Sequence, residues 1–298
     1  MLTFSRMNKR IIWAAALLSL LPFVVCAFYG SMGGDDYAFY NYFRVYGFWG
    51  TQRFVYSKWT GRYTSTFLGS LLTKFGWPDH YYFLHTVLLF LFLAGAIFFL
   101  LSAINRSWLA GVVSRRVLTL VTVILVVLSI YVQAEPATGF YWFSSAMTYE
   151  TAFILFLLLA ACLVMRSSVL MRGHIRLYDG MIFLLILLIN GTNEVAALFL
   201  TGFLALINIA AFYFFRTVSR PLLIWFGLSF ATGIVIVFTS GILSGRAASI
   251  YSGSHTSVAA ILPMIFFRVA TVFYFVFKVP LFWIGGFVLF VAGRRLGG

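Results

Sequence analysis

Two adjacent carboxylates, in the run Gly33-Gly34-Asp35-Asp36-Tyr37, are the residues of this chain best suited to chemistry. Neighbouring ionised acids are costly at a low-dielectric surface, so they call for a cationic partner, a metal or a task such as general base. The plainer alternative is a helix start, with one Asp as N-cap and the other stabilising the helix dipole. The two readings overlap, because a capping Asp on a cavity floor can also take a proton. Further along stands Lys58-Trp59-Thr60-Gly61-Arg62-Tyr63-Thr64-Ser65, with Arg53 upstream. Arg offers a fork of donors that matches phosphate oxygens and Lys a mobile point charge, so Arg53, Lys58 and Arg62 are candidate phosphate ligands. The same cations would serve as ion-pair partners of Asp35 and Asp36, or of anionic headgroups.

Aromatic and polar groups recur together in the run from Gly139 to Glu150, which includes Tyr141, Trp142 and Tyr149, and in Asn190-Gly191-Thr192-Asn193-Glu194. Aromatic faces beside amides and a carboxylate suit a sugar, whose C–H faces stack while its hydroxyls hydrogen-bond. An interfacial aromatic belt accounts equally well for Tyr141, Trp142 and Tyr149. Glu150 and Glu194 each stand at the mouth of an apolar run, where an ionisable residue is a functional hypothesis. Gly245-Arg246 and Tyr251-Ser252-Gly253-Ser254-His255 form a small-residue, cationic segment that suits a gate, a phosphate ligand or a simple connection. His80 and His85 lack a third ligand at metal spacing and read as polar interface residues. Asn190-Gly191-Thr192 matches a glycosylation acceptor but hugs a span end, and is taken as incidental. Cys26 and Cys162 lie within apolar runs and are expected as free, buried thiols.

The elements that position these groups follow from composition. Of 298 residues 62% are hydrophobic and 9% charged, and mean hydropathy is +1.00. A soluble core of this size could not hide that, so the solvent is largely lipid. Inside a bilayer the main chain must satisfy itself, and these apolar runs are too long for barrel strands, which leaves helices. Spans are expected at about 11–30, 81–104, 117–133, 150–166, 178–191, 195–215, 221–243 and 271–293. The first is read as a retained span, since it exceeds the ~7–15 apolar residues of a signal peptide. A net charge of +14 could suggest nucleic acid, but the cations cluster between apolar runs, so no nucleic-acid partner is expected. Arg6, Lys9 and Arg10; Arg106, Arg115 and Arg116; Arg166, Arg172 and Arg176; Arg216 and Arg220; and Arg294 and Arg295 mark every second connection as cytoplasmic, both termini included.

On that topology Asp35, Asp36, Asp79, Glu135, Glu150 and Glu194 fall at the outward ends, and only Asp179 is cytoplasmic. Such a bias points to an outward-facing polar cavity. The first outward loop, 31–80, is aromatic and semi-apolar and should hug the membrane. Asp35 or Asp36 is expected to N-cap a helix running to about Trp49, with Tyr37, Tyr40, Phe43 and Arg44 on one face. A second interfacial helix is expected over Ser65–Phe75, ended by Gly76, Trp77 and Pro78. The apolar stretch 258–293 exceeds one span and contains Pro263, Arg268, Lys278 and Pro280, which fits a re-entrant or interfacial helix before a last span. The whole is expected to be a single polytopic membrane domain over 1–298.

The Asp-Asp pair just after the first span, the membrane-hugging loop and the segment Trp59-Thr60-Gly61-Arg62-Tyr63 together resemble the bacterial multi-pass GT-C glycosyltransferases, which take sugar from a polyprenyl-phosphate donor. The resemblance is nearest to the branch related to O-antigen-modifying glucosyltransferases, where an Asn-Glu pair near a later span, here Asn193-Glu194, also recurs. It implies an all-α, GT-C-like bundle of about eight transmembrane helices in the bacterial inner membrane, its site facing the periplasm. It implies an inverting transfer to an envelope glycan or lipid acceptor, with Asp35 or Asp36 as general base. Lys58, Arg62, Arg53 and Arg246 would bind the donor phosphate. Tyr63, Tyr141, Trp142, Glu150, Asn193 and Glu194 would contact substrate. No cofactor is expected, because Lys58 and Arg62 supply positive charge, although paired carboxylates beside a phosphate also suit Mg²⁺ or Mn²⁺. Members of the family usually run longer, with more spans and often a soluble C-terminal region, and on this point the 298 residues depart from the pattern. A transporter or flippase for a lipid-linked or anionic substrate is the alternative from another class, and a non-catalytic scaffold of an envelope complex is a third.

Overall fold

Apolar runs that cannot lend their amides to water close the hydrogen bonds internally, and the chain is accordingly helical. The computed structural model describes residues 6–240 except 134, 168–174 and 217–218, and among these there is no strand. Arg6–Ala27 (α1) leads into the connection 31–80, which folds as Asp35–Lys58 (α2), Tyr63–Lys74 (α3) and the single turn Trp77–His80 (α4). Tyr82–Ser107 (α5) and Arg115–Tyr131 (α6) follow. A π-helical turn, Ala137–Tyr141, precedes Phe143–Thr148 (α7) and Glu150–Ser167 (α8). Ile175–Asn190 (α9), Glu194–Phe215 (α10) and Arg220–Thr239 (α11) complete the described part.

Among the described residues four stretches are long and apolar enough to cross a membrane: Tyr82–Ser107, Phe143–Ser167, Glu194–Tyr213 and Arg220–Thr239. Three other expected spans coincide with α1, α6 and α9. The last two, at 17 and 16 residues, fall short of the ~20 that a hydrocarbon core requires. In α1 the apolar part is only Trp13–Ala27. The span expected at 271–293 lies outside the described residues, as do Arg172, Arg246, Arg268, Lys278, the segment 251–255 and the terminal Arg pair. Large apolar side chains left uncovered on the outer helices, such as Ile209, Phe212, Ile224 and Phe238, have lipid as their natural solvent.

The bundle closes around α5 and α8. Ala103 on α5 and Ala161 on α8 are both buried in one cluster, and their small side chains let the two backbones approach. Phe90, Leu93 and Ile97 of α5 pack with Val126 and Ile130 of α6 and with Phe140 and Phe143. A second cluster joins Leu159, Ile182, Ile186, Leu200, Leu204 and Trp225 across α8 to α11. Hydrogen bonds gather residues 36, 60–65, 82, 143–148 and 190–194 at one end of the bundle. At the other end Asp179 accepts from Arg166 Nε at 2.5 Å, and that guanidinium lies 4.8 Å over the Trp225 ring.

The first helix of the connection 31–80, α2, differs from expectation in two respects. It runs past Trp49 to Lys58, but breaks at Gly47, whose φ of 66° and ψ of −174° only glycine adopts cheaply. Its N-cap is Gly34, at φ 38°, and Asp35 and Asp36 fall in the first turn. The second helix starts two residues early, at Tyr63. Two further expectations are corrected. Cys26 is exposed on α1 rather than buried, because it points away from the packed face, while Cys162 is buried as expected and both are free. His85 is no interface residue: it is buried beside the Tyr82 carbonyl and the Thr86 hydroxyl.

Candidate functional site

Asp36 is the fixed point from which the site is built. Its carboxylate is buried, 2% exposed, and accepts four hydrogen bonds. Oδ1 takes the Ser144 amide at 2.8 Å and the Ser144 hydroxyl at 2.5 Å. Oδ2 takes the Tyr82 hydroxyl at 2.8 Å and the Gly33 amide at 3.3 Å. The Tyr82 oxygen in turn accepts from the Phe143 amide at 3.1 Å. Donors from α5, from α7 and from the Gly33–Gly34 turn thus stabilise the buried charge and tie the start of α2 to the bundle.

Asp35 is the opposite case. One position earlier on the helix it turns outward, is exposed, and its carboxylate makes no hydrogen bond among the described residues. It lines a cavity of about 470 Å³ whose wall includes Trp59, Thr60, Arg62, Thr138, Trp142 and Tyr149. The Asp pair therefore divides into a structural anchor and a carboxylate available at the cavity.

Arg62 is the cation of that wall. Its Nε and Nη2 donate to Glu194 at 3.1 and 2.8 Å, and the Thr60 hydroxyl donates to the other Glu194 oxygen at 2.7 Å. The Nη1 group makes no hydrogen bond among the described residues, so it remains a donor to whatever enters. Arg53 and Lys58 are exposed on the second half of α2 and do not border the cavity.

The other expected contact residues distribute unevenly. Trp142 and Tyr149 border the cavity. Trp142 also borders a second pocket of about 420 Å³ beside Gly30, Gly33, Gly34 and Tyr141, and its buried Nε1 has no acceptor among the described residues. The Tyr141 hydroxyl donates to the Phe23 carbonyl at 2.8 Å, and burial pushes that phenol up to about 12. The Tyr63 hydroxyl donates to the Leu187 carbonyl and is likewise pushed up to about 12, by burial and then by nearby Tyr56. Tyr63 thus docks α3 on the end of α9. Asn193 is buried and occupied: Oδ1 caps α10 through the Ala196 amide at 2.7 Å, and Nδ2 reaches the Thr148 carbonyl at 3.0 Å. Asn190 is buried too, donating to the Ser229 carbonyl at 3.2 Å, which leaves no place for a glycan on its amide. Glu150 is buried against Gln133 and does not border the cavity.

Two residues of the site, Tyr82 and Ser144, are not singled out by sequence reasoning. The signal for Ser144 is faint, a hydroxyl in an aromatic run, and Tyr82 is indistinguishable there from a belt residue. Among the described residues no three His, Cys, Asp or Glu side chains converge as a metal site would require. Neither family models, curated proteins nor solved structures give a match to the chain.

Proposed function

We propose that this chain is an inverting membrane glycosyltransferase that moves a sugar from a polyprenyl-phosphate donor to an envelope glycan or lipid acceptor, with Asp35 as general base. The observation that carries the reading is the division of labour in the Asp pair. Asp36 gives four acceptor sites to the fold, while exposed Asp35, one residue away, lines a cavity that is also bordered by the Arg62 guanidinium and by aromatics including Trp59, Trp142 and Tyr149. In the proposed step Asp35 takes the proton of an acceptor hydroxyl as its oxygen attacks the anomeric carbon. The bond from that carbon to the donor phosphate oxygen breaks on the opposite face, and polyprenyl phosphate departs with the electron pair. Arg62 Nη1 meets the charge that develops on the departing phosphate. Trp142 and Tyr149 offer faces to a sugar ring, and the aromatic α2 and α3 lie where a lipid tail would approach.

The transporter alternative calls for ionisable groups midway along spans. In the four long apolar stretches the Asp, Glu, Lys and Arg residues are Arg106, Arg166, Glu194 and Arg220 near the ends and Glu150 at the start of α8. That favours chemistry at the outward end over passage through the middle.

The test is transfer of radiolabelled sugar from polyprenyl-phosphate donors to envelope acceptors in membranes carrying wild type, Asp35→Asn or Asp36→Asn at matched expression. Asp35→Asn is expected to lower transfer by at least ~100-fold with normal accumulation of protein, the scale of a lost general base. Wild-type transfer by Asp35→Asn would remove the base and the reading with it.

A further inference from the structure

One buried acid has no part in the proposed chemistry. Glu150, 5% exposed, opens α8, and its Oε1 accepts from Gln133 Nε2 in the connection after α6. Among the described residues the two remaining oxygens of this pair, Glu150 Oε2 and Gln133 Oε1, are buried without any donor. Two buried oxygens on one hydrogen-bonded pair, neither with a hydrogen, are an unfavourable arrangement. A single proton on Oε2 would resolve both faults, because it turns Glu150 into a donor for the acceptor that its own partner, Gln133, leaves unpaired.

No cation supplies the alternative. Among the described residues the ion pairs are Arg62 with Glu194 and Arg166 with Asp179. The elements packed most closely on α8 are α5, α7 and α9, and Phe156 of α8 also meets Phe199 and Phe203 of α10. Of their titratable groups, the Tyr82 hydroxyl is given to Asp36, His85 is bound to Tyr82 and Thr86, α7 has none, Glu194 of α10 is held by Arg62, and Arg106, Arg176, Tyr178 and Asp179 stand toward the opposite end. On the adjoining turn the Tyr141 hydroxyl is given to Phe23 and Glu135 accepts from Thr138 at 2.9 Å. Tyr149, next along, turns outward to the cavity wall, and α6 carries Arg115 and Arg116 at its far end and an exposed Tyr131.

We propose that Glu150 carries a proton on Oε2 and donates it to Gln133 Oε1, closing an acid–amide ring that latches the π-helical turn forming one wall of the cavity. The ring packs directly on that turn. A Cβ added to Gly139 would collide with Gln133 Oε1 and lie 3.2 Å from Glu150 Oε1. The neighbouring Thr138, and Trp142 just beyond, line the cavity. Glu150 is therefore a positioning residue. The ring depends only on this geometry, whereas its effect on transfer rests on the proposed activity.

Infrared spectroscopy of the full chain in lipid nanodiscs reads the proton directly. The expected result is a hydrogen-bonded carboxylic acid band at neutral pH that is lost in Glu150→Gln and kept in Asp35→Asn. Gln133→Leu should shift the band to the frequency of an acid without an amide partner. Absence of an acid band assignable to Glu150 overturns the proposal, since the group is then ionised. In membranes that transfer sugar, the wild-type rate should fall at alkaline pH as the ring opens. Glu150→Gln, whose amide can rebuild the ring, should keep its rate over the same range. An alkaline fall in Glu150→Gln equal to that of wild type overturns the positioning role. Failure of every variant and of wild type to transfer sugar counts against the glycosyltransferase reading alone, and the infrared band still decides the ring.

Discussion

Asp36 Oδ1 lies 2.5 Å from the Ser144 hydroxyl, 108 positions further along the chain, and the same oxygen takes the Ser144 amide at 2.8 Å. This contact makes two adjacent aspartates chemically unlike. Asp36 becomes part of the bundle, and Asp35 inherits a fixed direction into the cavity. Asp36→Asn should accordingly destabilise the protein by about 2–4 kcal/mol, because an amide nitrogen replaces an acceptor facing either Ser144 or Tyr82 and a charge-assisted bond is lost. Ser144→Ala, which removes one donor and keeps the amide, should cost about 1–2 kcal/mol. Thermal denaturation in detergent measures both. Equal stability of Asp36→Asn and wild type would mean that the anchor carries no weight.

The Arg62 and Glu194 pair gives two expectations of opposite sign. Glu194→Gln removes the charge that holds Nε and Nη2, and stability should fall by about 1–2 kcal/mol, a discounted figure for side chains 20% and 29% exposed. The same substitution leaves the guanidinium uncompensated at the cavity wall, so binding of polyprenyl phosphate should tighten severalfold. Arg62→Lys cannot make the forked contact and should weaken both properties. Binding of labelled polyprenyl phosphate alongside a melting curve separates them. Weaker phosphate binding in Glu194→Gln would show that the placement of Arg62 matters more than its charge.

How far the fold is written in the sequence depends on which physical signal each feature has. Helices such as α5 and α8 announce themselves by apolar length, because lipid leaves the backbone no other choice. Asp35 and Arg62 are visible as charges where charge is expensive, and the structure brings both to one cavity. The division between Asp35 and Asp36 is not visible, since it depends on Tyr82 and Ser144, two ordinary residues that become donors only when α5 and α7 meet α2. Asn193 and Glu194 look like a site pair in sequence, yet they serve as a helix cap and a salt bridge. Local pattern marks which groups are unusual, and tertiary contacts decide which of them remain available.

Alkaline pH should loosen the cavity end of the bundle through two phenols. The Tyr63 and Tyr141 hydroxyls donate to the Leu187 and Phe23 carbonyls, and burial pushes both from 10 up to about 12. A raised folded value means the neutral phenol is favoured in the fold. The stabilisation is therefore complete below pH 10 and lost as pH rises through about 12. Melting temperature should stay level on this account up to about 10 and decline beyond it. The decline should be shallower in Tyr63→Phe and shallower again when Tyr141→Phe is added. An identical alkaline slope in the double variant would exclude these two groups as its source.

Gly191 tests whether α3 truly seats on the connection between α9 and α10. The Gly191 carbonyl accepts the Thr64 amide at 2.7 Å and the Ser65 amide at 3.4 Å. The Ser65 hydroxyl reaches the next carbonyl, that of Thr192, at 2.8 Å. There is no room for a side chain at this point: an added Cβ would collide with the Tyr63 ring and the Thr64 hydroxyl. Gly191→Ala should therefore push the start of α3 outward and cost about 1–3 kcal/mol, the usual price of overpacking. Because Arg62 immediately precedes α3, the guanidinium should lose its register with Glu194, and transfer should fall along with stability. Gly95→Ala is the control, since nothing lies within 4 Å of a Cβ there, and it should leave both unchanged. If Gly191→Ala melts and transfers as wild type does, α3 is not seated on this loop, and the wall that carries Arg62 must be held by other contacts.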